Sequence, residues 1–334
     1  MMQNLRLTLK SRPVGRLGPE HFDRVEEDLG PLEDGKARVR VVYVSLDPAM
    51  RGWVSDDTKS YIPPVQIGDT MRSLGVGIVE ESKTDAYKVG DWVSGTPGWT
   101  KYIDVAPGDI SVVPQLDRIE HYMGVLGLPG VTAYHGLVTE GQPKDGETLC
   151  VTGAAGSVGS LVGQIGKAHG MRVIGIAGTQ EKCDWLVNEL GFDAALNYKT
   201  DDLSKGLAEF APDGIDVHFE NVGGAPFKAA FRNMAAHGRM IFCGFISAYN
   251  GEKDPDPVDM TTIIRRRLSL KGFTMPDHYA AYPMMFQELG KLLMTGKLKY
   301  RLDIEEGLEN APVVFNKLFD GSNTGKLVIK VSEL

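Results

Sequence analysis

Apolar residues follow two different rhythms along the chain. Up to about residue 120 they come in short alternating runs, as in Ala37-Arg38-Val39-Arg40-Val41-Val42-Tyr43-Val44, with further runs at 76–81 and 91–95. A period of two marks a half-buried strand. Pro63-Pro64, Gly68-Asp69, Gly90-Asp91 and Pro97-Gly98 separate the runs. No helix longer than about two turns is expected there. This spacing predicts a small, irregular β-rich domain, a barrel or a sandwich.

Beyond residue 120, continuous apolar runs alternate with helical periodicity. Strands are predicted at 147–152, 172–177, 194–198, 215–220 and 239–243. Helices are predicted over 157–169 and 181–190, and near 226–234 and 277–294. In the first of these, Leu161, Val162, Ile165 and Ala168 share one face. Repeated βαβα order implies a parallel doubly wound sheet. The tail returns to a mixed pattern and closes with a strand at 327–331. The predicted fold class is α/β: a Rossmann domain at 123–299, flanked by a discontinuous β-rich domain at 1–122 and 300–334.

Length and composition narrow the function. A chain of 334 residues suits two domains. The net charge is −8, and the one tight basic cluster, Arg265-Arg266-Arg267, reads as a solvated helix end. That argues against nucleic acid as a partner. No run is apolar and long enough for a membrane span, and the N-terminus has no apolar core of signal-peptide length. Cys150, Cys183 and Cys243 lie far apart and make no disulfide framework, so the cytoplasm is the expected compartment.

Gly153-Ala154-Ala155-Gly156-Ser157-Val158-Gly159 follows the first strand of the βα region and opens its first helix. A dinucleotide-binding turn needs that context. Glycines permit a tight turn and close approach of backbone to pyrophosphate, and the helix start offers free N–H groups. Gly153, Ala155, Gly156, Ser157 and Val158 are therefore cofactor candidates. The next strand ends at Ala177 with Gly178-Thr179-Gln180, and no acid stands there to hold the ribose hydroxyls of NAD. Lys182 follows in the first helical turn. A missing acid beside an available cation favours NADPH, and Gly178 joins the candidate set.

With these residues in view, the sequence resembles the zinc-independent medium-chain dehydrogenase/reductases. It is most similar to the branch of prostaglandin reductases, alkenal double-bond reductases and curcumin reductases. Carrying the resemblance are Leu46-Asp47-Pro48-Ala49-Met50-Arg51-Gly52, the segment Leu126-Gly127-Leu128-Pro129-Gly130-Val131-Thr132-Ala133-Tyr134 and the glycine loop. Phe219-Glu220-Asn221-Val222-Gly223-Gly224, Cys243-Gly244-Phe245-Ile246-Ser247-Ala248-Tyr249-Asn250 and Asn323-Thr324-Gly325-Lys326 add to it. The resemblance implies a GroES-like β-rich domain beside the Rossmann domain, with the active site in the cleft between them. It implies that Lys182 and Tyr198 hold the 2′-phosphate of NADPH, that Gly156 lies under the pyrophosphate, and that Asn221 and Asn323 approach the cofactor. Met123, Cys243 and Phe273 are further cofactor-side candidates; Met123 and Cys243 read equally well as packing residues. Zinc-dependent relatives carry a ligand Cys near Ser45 and a later Gly-His-Glu. Here Val44-Ser45-Leu46-Asp47 and Leu74-Gly75-Val76-Gly77 stand in those places, and no histidine lies near another His or Cys at ligand spacing. No metal is expected.

The implied reaction is hydride transfer from NADPH to the β-carbon of an α,β-unsaturated ketone or aldehyde. Without a metal, the developing enolate needs hydrogen-bond donors. Tyr249 is the candidate donor or proton source, because its loop follows a strand at the carboxyl end of the sheet. Met50, Arg51, Tyr61, Tyr249 and Met275 are candidate substrate walls, with Arg51 open to a purely structural role. A quinone reductase and an NADPH-binding module without turnover are the competing readings. The resemblance also implies a homodimer formed through Rossmann sheet edges, with Leu268-Ser269-Leu270-Lys271-Gly272-Phe273 as the edge strand.

Overall fold

The computed structural model describes residues 2–251 and 258–334. The chain divides into two compact units: one runs to Met123 and resumes at Leu302–Leu334, the other is Gly124–Arg301.

In chain order, the first unit begins with β1 (Gln3–Leu9), paired antiparallel with β2 (Phe22–Asp28). Strand β3 (Ala37–Ser45) leads to a single turn, α1 (Met50–Trp53), and on to β4 (Gly75–Ser82), β5 (Trp92–Gly95), β6 (Tyr102–Val105) and β7 (Ile110–Val113). Strand β2, Phe-Asp-Arg-Val-Glu-Glu-Asp, is mostly charged and buries only Phe22. It exists because its backbone pairs with the buried β1, and hydropathy alone gives it no signal.

The second unit opens with α2 (Leu128–Tyr134), which runs into a π-helical segment, His135–Gly141. Then come β8 (Thr148–Thr152), α3 (Gly159–Ala168), β9 (Arg172–Ala177), α4 (Gln180–Asn188), β10 (Ala194–Asn197), α5 (Leu203–Phe210), β11 (Ile215–Glu220) and α6 (Gly224–Arg232). After β12 (Met234–Phe242) and α7 (Thr261–Arg266) follow β13 (Ser269–Gly272) and α8 (Tyr282–Met294). The chain then returns to the first unit as β14 (Leu302–Glu306) and β15 (Lys326–Lys330).

Strands of the second unit lie in the order β10-β9-β8-β11-β12-β13, and every pairing is parallel. This is the doubly wound order, in which the chain reverses direction across the sheet between β8 and β11. Ligands of such sheets sit at the carboxyl ends of the strands at that point. Leu149, Val151, Val162, Ile165, Val173 and Phe219 fill one side of the sheet. Close packing here depends on glycine: a Cβ on Gly163 would fall 1.9 Å from the Phe192 ring, so α3 presses directly on that side chain.

In the first unit the sheet order is β14-β15-β3-β4-β5-β7, with β6 also pairing β3. All pairings except β14–β15 are antiparallel. Leu9, Val41, Val44, Leu46, Met50, Trp99, Phe315 and Leu327 form its core. Each such side chain stabilises the unit by about 1.5–3 kcal/mol when fully buried.

Two predicted elements differ from those observed. The predicted 277–294 helix divides into a 3₁₀ segment, Met275–Ala281, itself kinked at His278 (φ −126°, ψ 18°), and α8. Strand β12 begins at Met234, where Ile215 pairs with it before a register shift. Helix α5 has no counterpart in the predicted set; Asp202 caps it by accepting from the Lys205 amide at 3.0 Å. Among the described residues no helix is long and apolar enough to cross a membrane.

Candidate active site

The glycine turn leaves β8 at Gly153, whose φ of +57° disfavours any side chain. The Gly156 amide donates back to the Gly153 carbonyl at 2.9 Å, which closes the turn. Among the described residues, the amides of Ala155, Ser157 and Val158 donate to no backbone carbonyl. Unsatisfied N–H groups at the start of α3 make a ready anion site, strengthened by the helix dipole. Gly153, Ala155, Gly156, Ser157 and Val158 thus lie in one turn, with donors to spare for a pyrophosphate.

Facing this turn across the reversal point is the end of β11. Glu220 is fully buried. Its Oε1 accepts from Thr152 Oγ1 at 2.8 Å and from the amides of Val222 and Gly223 at 2.5 and 2.8 Å. Its Oε2 lies 2.7 Å from Nε2 of His218, which is also fully buried. Burial alone would push this carboxyl up, but the His218 pairing and the two amides hold it below the usual carboxylate range. The Asn221 amide donates to Thr152 Oγ1 at 2.9 Å, and its side-chain Nδ2 donates to the Thr152 carbonyl at 2.7 Å. Asn221 is therefore fixed against β8 with its side-chain oxygen as the remaining acceptor. Sequence reasoning chose Asn221 but missed Thr152, Glu220 and His218, the groups that position it. Thr152 and Glu220, polar residues ending the adjacent parallel strands β8 and β11, were the available signal.

At the end of β9, Thr179 caps α4 by accepting from the Lys182 amide at 3.2 Å. Lys182 thereby enters the first helical turn. The Tyr198 ring lies over Gly178; a Cβ there would meet ring atom Cε1 at 2.9 Å. Tyr198 is 40% exposed, so the ring is available at the surface while its backbone donates to the Ala177 carbonyl at 3.0 Å. Gly178, Lys182 and Tyr198 therefore cluster at one strand end, with no acid at its tip.

Beyond β12, the Cys243 and Gly244 amides donate to the Glu220 carbonyl at 3.0 and 3.2 Å. The loop then turns back so that Tyr249 Oη accepts from the Phe245 amide at 3.1 Å. A phenol that accepts from an amide keeps its own O–H free to donate. Burial raises the Tyr249 pKa, which keeps it protonated at neutral pH. Burial, with Glu220 nearby, pushes the Cys243 thiol up to about 12, so it is a packing thiol and no nucleophile.

Three candidates for the substrate wall are buried. Met50 is wholly inside the core of the first unit, with its sulfur accepting from the Asp47 amide at 3.3 Å. Arg51 is 7% exposed and donates to the carbonyls of Gly15 and Pro13 at 3.0 and 3.1 Å, so it anchors that loop. Met275 is packed into the core of the second unit. Tyr61 stays 54% exposed. Phe273 packs on His135 and Phe219, with ring centroids 5.4 and 6.4 Å apart. Met123 is buried, and Asn323 donates to the Gly325 carbonyl at 3.2 Å; both belong to the first unit.

Two family models match the chain: the N-terminal domain of oxidoreductase over residues 6–113 and the zinc-binding dehydrogenase over 157–293. An NADPH-dependent curcumin reductase of Escherichia coli is 43% identical, covering 99% of this chain and 97% of its own. A 2-alkenal reductase (NADP(+)-dependent) of Nicotiana tabacum is 39% identical over 88% of this chain and 87% of its own. The crystal structure of CurA in complex with NADPH, from Vibrio vulnificus, superposes with a TM-score of 0.93 at 40% identity, covering 99% of this chain and 100% of that one.

Proposed function

This chain belongs to the medium-chain dehydrogenase/reductase family, in the branch of curcumin and alkenal reductases, and we propose that it reduces the C=C bond of α,β-unsaturated ketones and aldehydes with NADPH. The observation that carries this reading is the match over nearly the whole chain to NADPH-dependent reductases of conjugated carbonyl compounds. The free amides of the glycine turn and the acid-free end of β9 fit the cofactor independently.

When bound, NADPH supplies the hydride that adds to the β-carbon. The amides of Ala155, Ser157 and Val158 hold the pyrophosphate. Lys182 and Tyr198 take the 2′-phosphate, where an acid would repel it. Asn221 offers its side-chain oxygen to the cofactor near the nicotinamide. Tyr249 donates its O–H as a hydrogen bond to the oxygen of the developing enolate, its raised pKa keeps that proton on the phenol, and water supplies the proton that the α-carbon takes up to give the saturated carbonyl product. Proximity and orientation supply the remainder of the rate, because hydride transfer itself needs no protein acid.

No catalytic zinc enters the proposed reaction, although one of the matching family models is described as zinc-binding. Where zinc-dependent relatives place a ligand, Asp47 pairs with the buried ammonium of Lys326 at 2.8 Å and Ser45 donates to Asp47. Lys326 also donates to the Leu46 carbonyl at 2.8 Å. A fixed cation already fills that spot. Cytoplasmic residence is supported by three free cysteines. A homodimer is supported by β13, an edge strand with all four residues exposed and therefore open to pairing.

NADPH oxidation against a medium-chain enal, a conjugated enone and a quinone tests the function. Saturated carbonyl product from enal or enone supports it. Turnover of the quinone alone, or tight NADPH binding without turnover of any of them, overturns it.

A further inference from the structure

The π-helical segment does something an α-helix cannot. Residues five apart stand about 140° apart around an α-helix. The wider π turn, bonded i to i+5, brings them toward one face. Here those residues are His135 and Glu140, and Nε2 of the first lies 3.0 Å from Oε1 of the second. His278, far away in sequence, closes the group: its ring lies against that of His135, with centroids 3.8 Å apart and 30° between the planes. One ligand atom from each of the three residues lies within 4.8 Å of the others.

His278 has a non-helical backbone inside the 3₁₀ segment, and its ring is presented to that of His135. His135 is 3% exposed, and neither of its ring nitrogens makes a well-aligned hydrogen bond among the described residues. A buried imidazole without aligned partners is costly to keep unless something uses its lone pair. Burial and the neighbouring His278 lower the His135 pKa, which keeps the ring neutral, the form that binds metal. Burial works against charge on Glu140 as well, but Lys271 and His135 outweigh it and hold it ionised.

We propose that His135, Glu140 and His278 form a binding site for a borderline divalent transition ion such as Zn²⁺ or Co²⁺, with two imidazoles, one carboxylate and a remaining position for water. Two nitrogens and an oxygen are a donor set that such ions favour. Bonds of ~2.0–2.1 Å in a tetrahedron set ligand atoms about 3.3 Å apart. His135 and Glu140 already meet that spacing, so the half-buried His278 has only to rotate inward. Lys271 competes for the site, because its ammonium pairs with the second oxygen of Glu140. Its side chain is 58% exposed and free to swing into solvent. These residues are separate from the Ser45–Asp47 stretch and from the glycine turn. The ion would fasten the 275–281 segment to the π turn, and the site stands whether or not the reductase reading holds.

The test uses the full chain, stripped by a chelator and titrated with Co²⁺, followed by visible absorption and calorimetry. One Co²⁺ per chain is expected, with the intense bands of a four- or five-coordinate site, displaced by Zn²⁺. His278→Ala and Glu140→Gln should weaken binding at least tenfold with unchanged circular dichroism. Lys271→Ala should tighten it, which a merely structural cluster would not predict. No saturable binding, or equal affinity in parent, His278→Ala and Glu140→Gln, overturns the site.

Discussion

Thr152 Oγ1 and Glu220 Oε1 lie 2.8 Å apart, joining the ends of β8 and β11 where the strand order reverses. The carboxylate only accepts, so the hydroxyl donates to it; the same hydroxyl oxygen accepts from the Asn221 amide at 2.9 Å. One threonine thus ties the glycine turn to the Asn221 turn. Thr152→Val keeps the shape and loses both bonds. It should cost about 1–3 kcal/mol in urea unfolding, because a buried carboxylate oxygen and an amide lose a partner. NADPH affinity should fall with it, while Thr152→Ser keeps both properties close to the parent.

Lys182 discriminates between cofactors if its ammonium meets the 2′-phosphate. A hydrogen bond to a charged group is worth about 1.5–3 kcal/mol. Lys182→Ala should therefore weaken NADPH binding by about tenfold or more and leave NADH binding nearly unchanged, as read by fluorescence titration. Equal losses for both cofactors would remove the phosphate role.

Tyr249→Phe deletes the O–H and keeps the ring. Loss of one oxyanion donor lowers kcat by about 10²-fold or more, with NADPH affinity retained. The phenol pKa is raised above its ordinary 10.0, so the tyrosine stays protonated as pH rises. The parent's kcat should show no loss from this group below about pH 10. An unchanged rate in Tyr249→Phe would assign the donor role to the cofactor ribose or to water.

Lys326 and Asp47 form a buried pair in the first unit. Removing one partner strands the other, so Lys326→Met should destabilise by about 3–5 kcal/mol. The double variant with Asp47→Leu should lose less than the two single losses added together. Burial lowers the Lys326 pKa in the folded chain despite Asp47. The unfolded chain then binds the proton more tightly, so stability gained from this residue rises with pH toward the ordinary lysine value of 10.5. Denaturation at pH 8 and pH 10 should show the parent gaining on Lys326→Met.

The parallel sheet and its glycine turn were legible because strands buried on both faces are continuous apolar runs, and a turn between such a strand and a helix has few chemical solutions. Strand β2 was hidden by its charges, since only pairing with β1 makes it a strand. The burial of Met50 and Met275 was hidden as well, because a short stretch of sequence says nothing about which side of a residue faces the core. His135 and His278 were read as isolated because ligand spacing was sought only nearby in sequence. A π turn and a break in a helix bring them together, and neither has a reliable local signal.

The central claim is that hydride goes to the β-carbon of a conjugated carbonyl compound. Turnover of an enone with NADPH carrying deuterium at the nicotinamide C4, followed by NMR of the product, tests it most directly. A saturated ketone with deuterium at the β-carbon is the predicted result. Deuterium on the carbonyl carbon of an unsaturated alcohol, or no deuterium in the product, would contradict it.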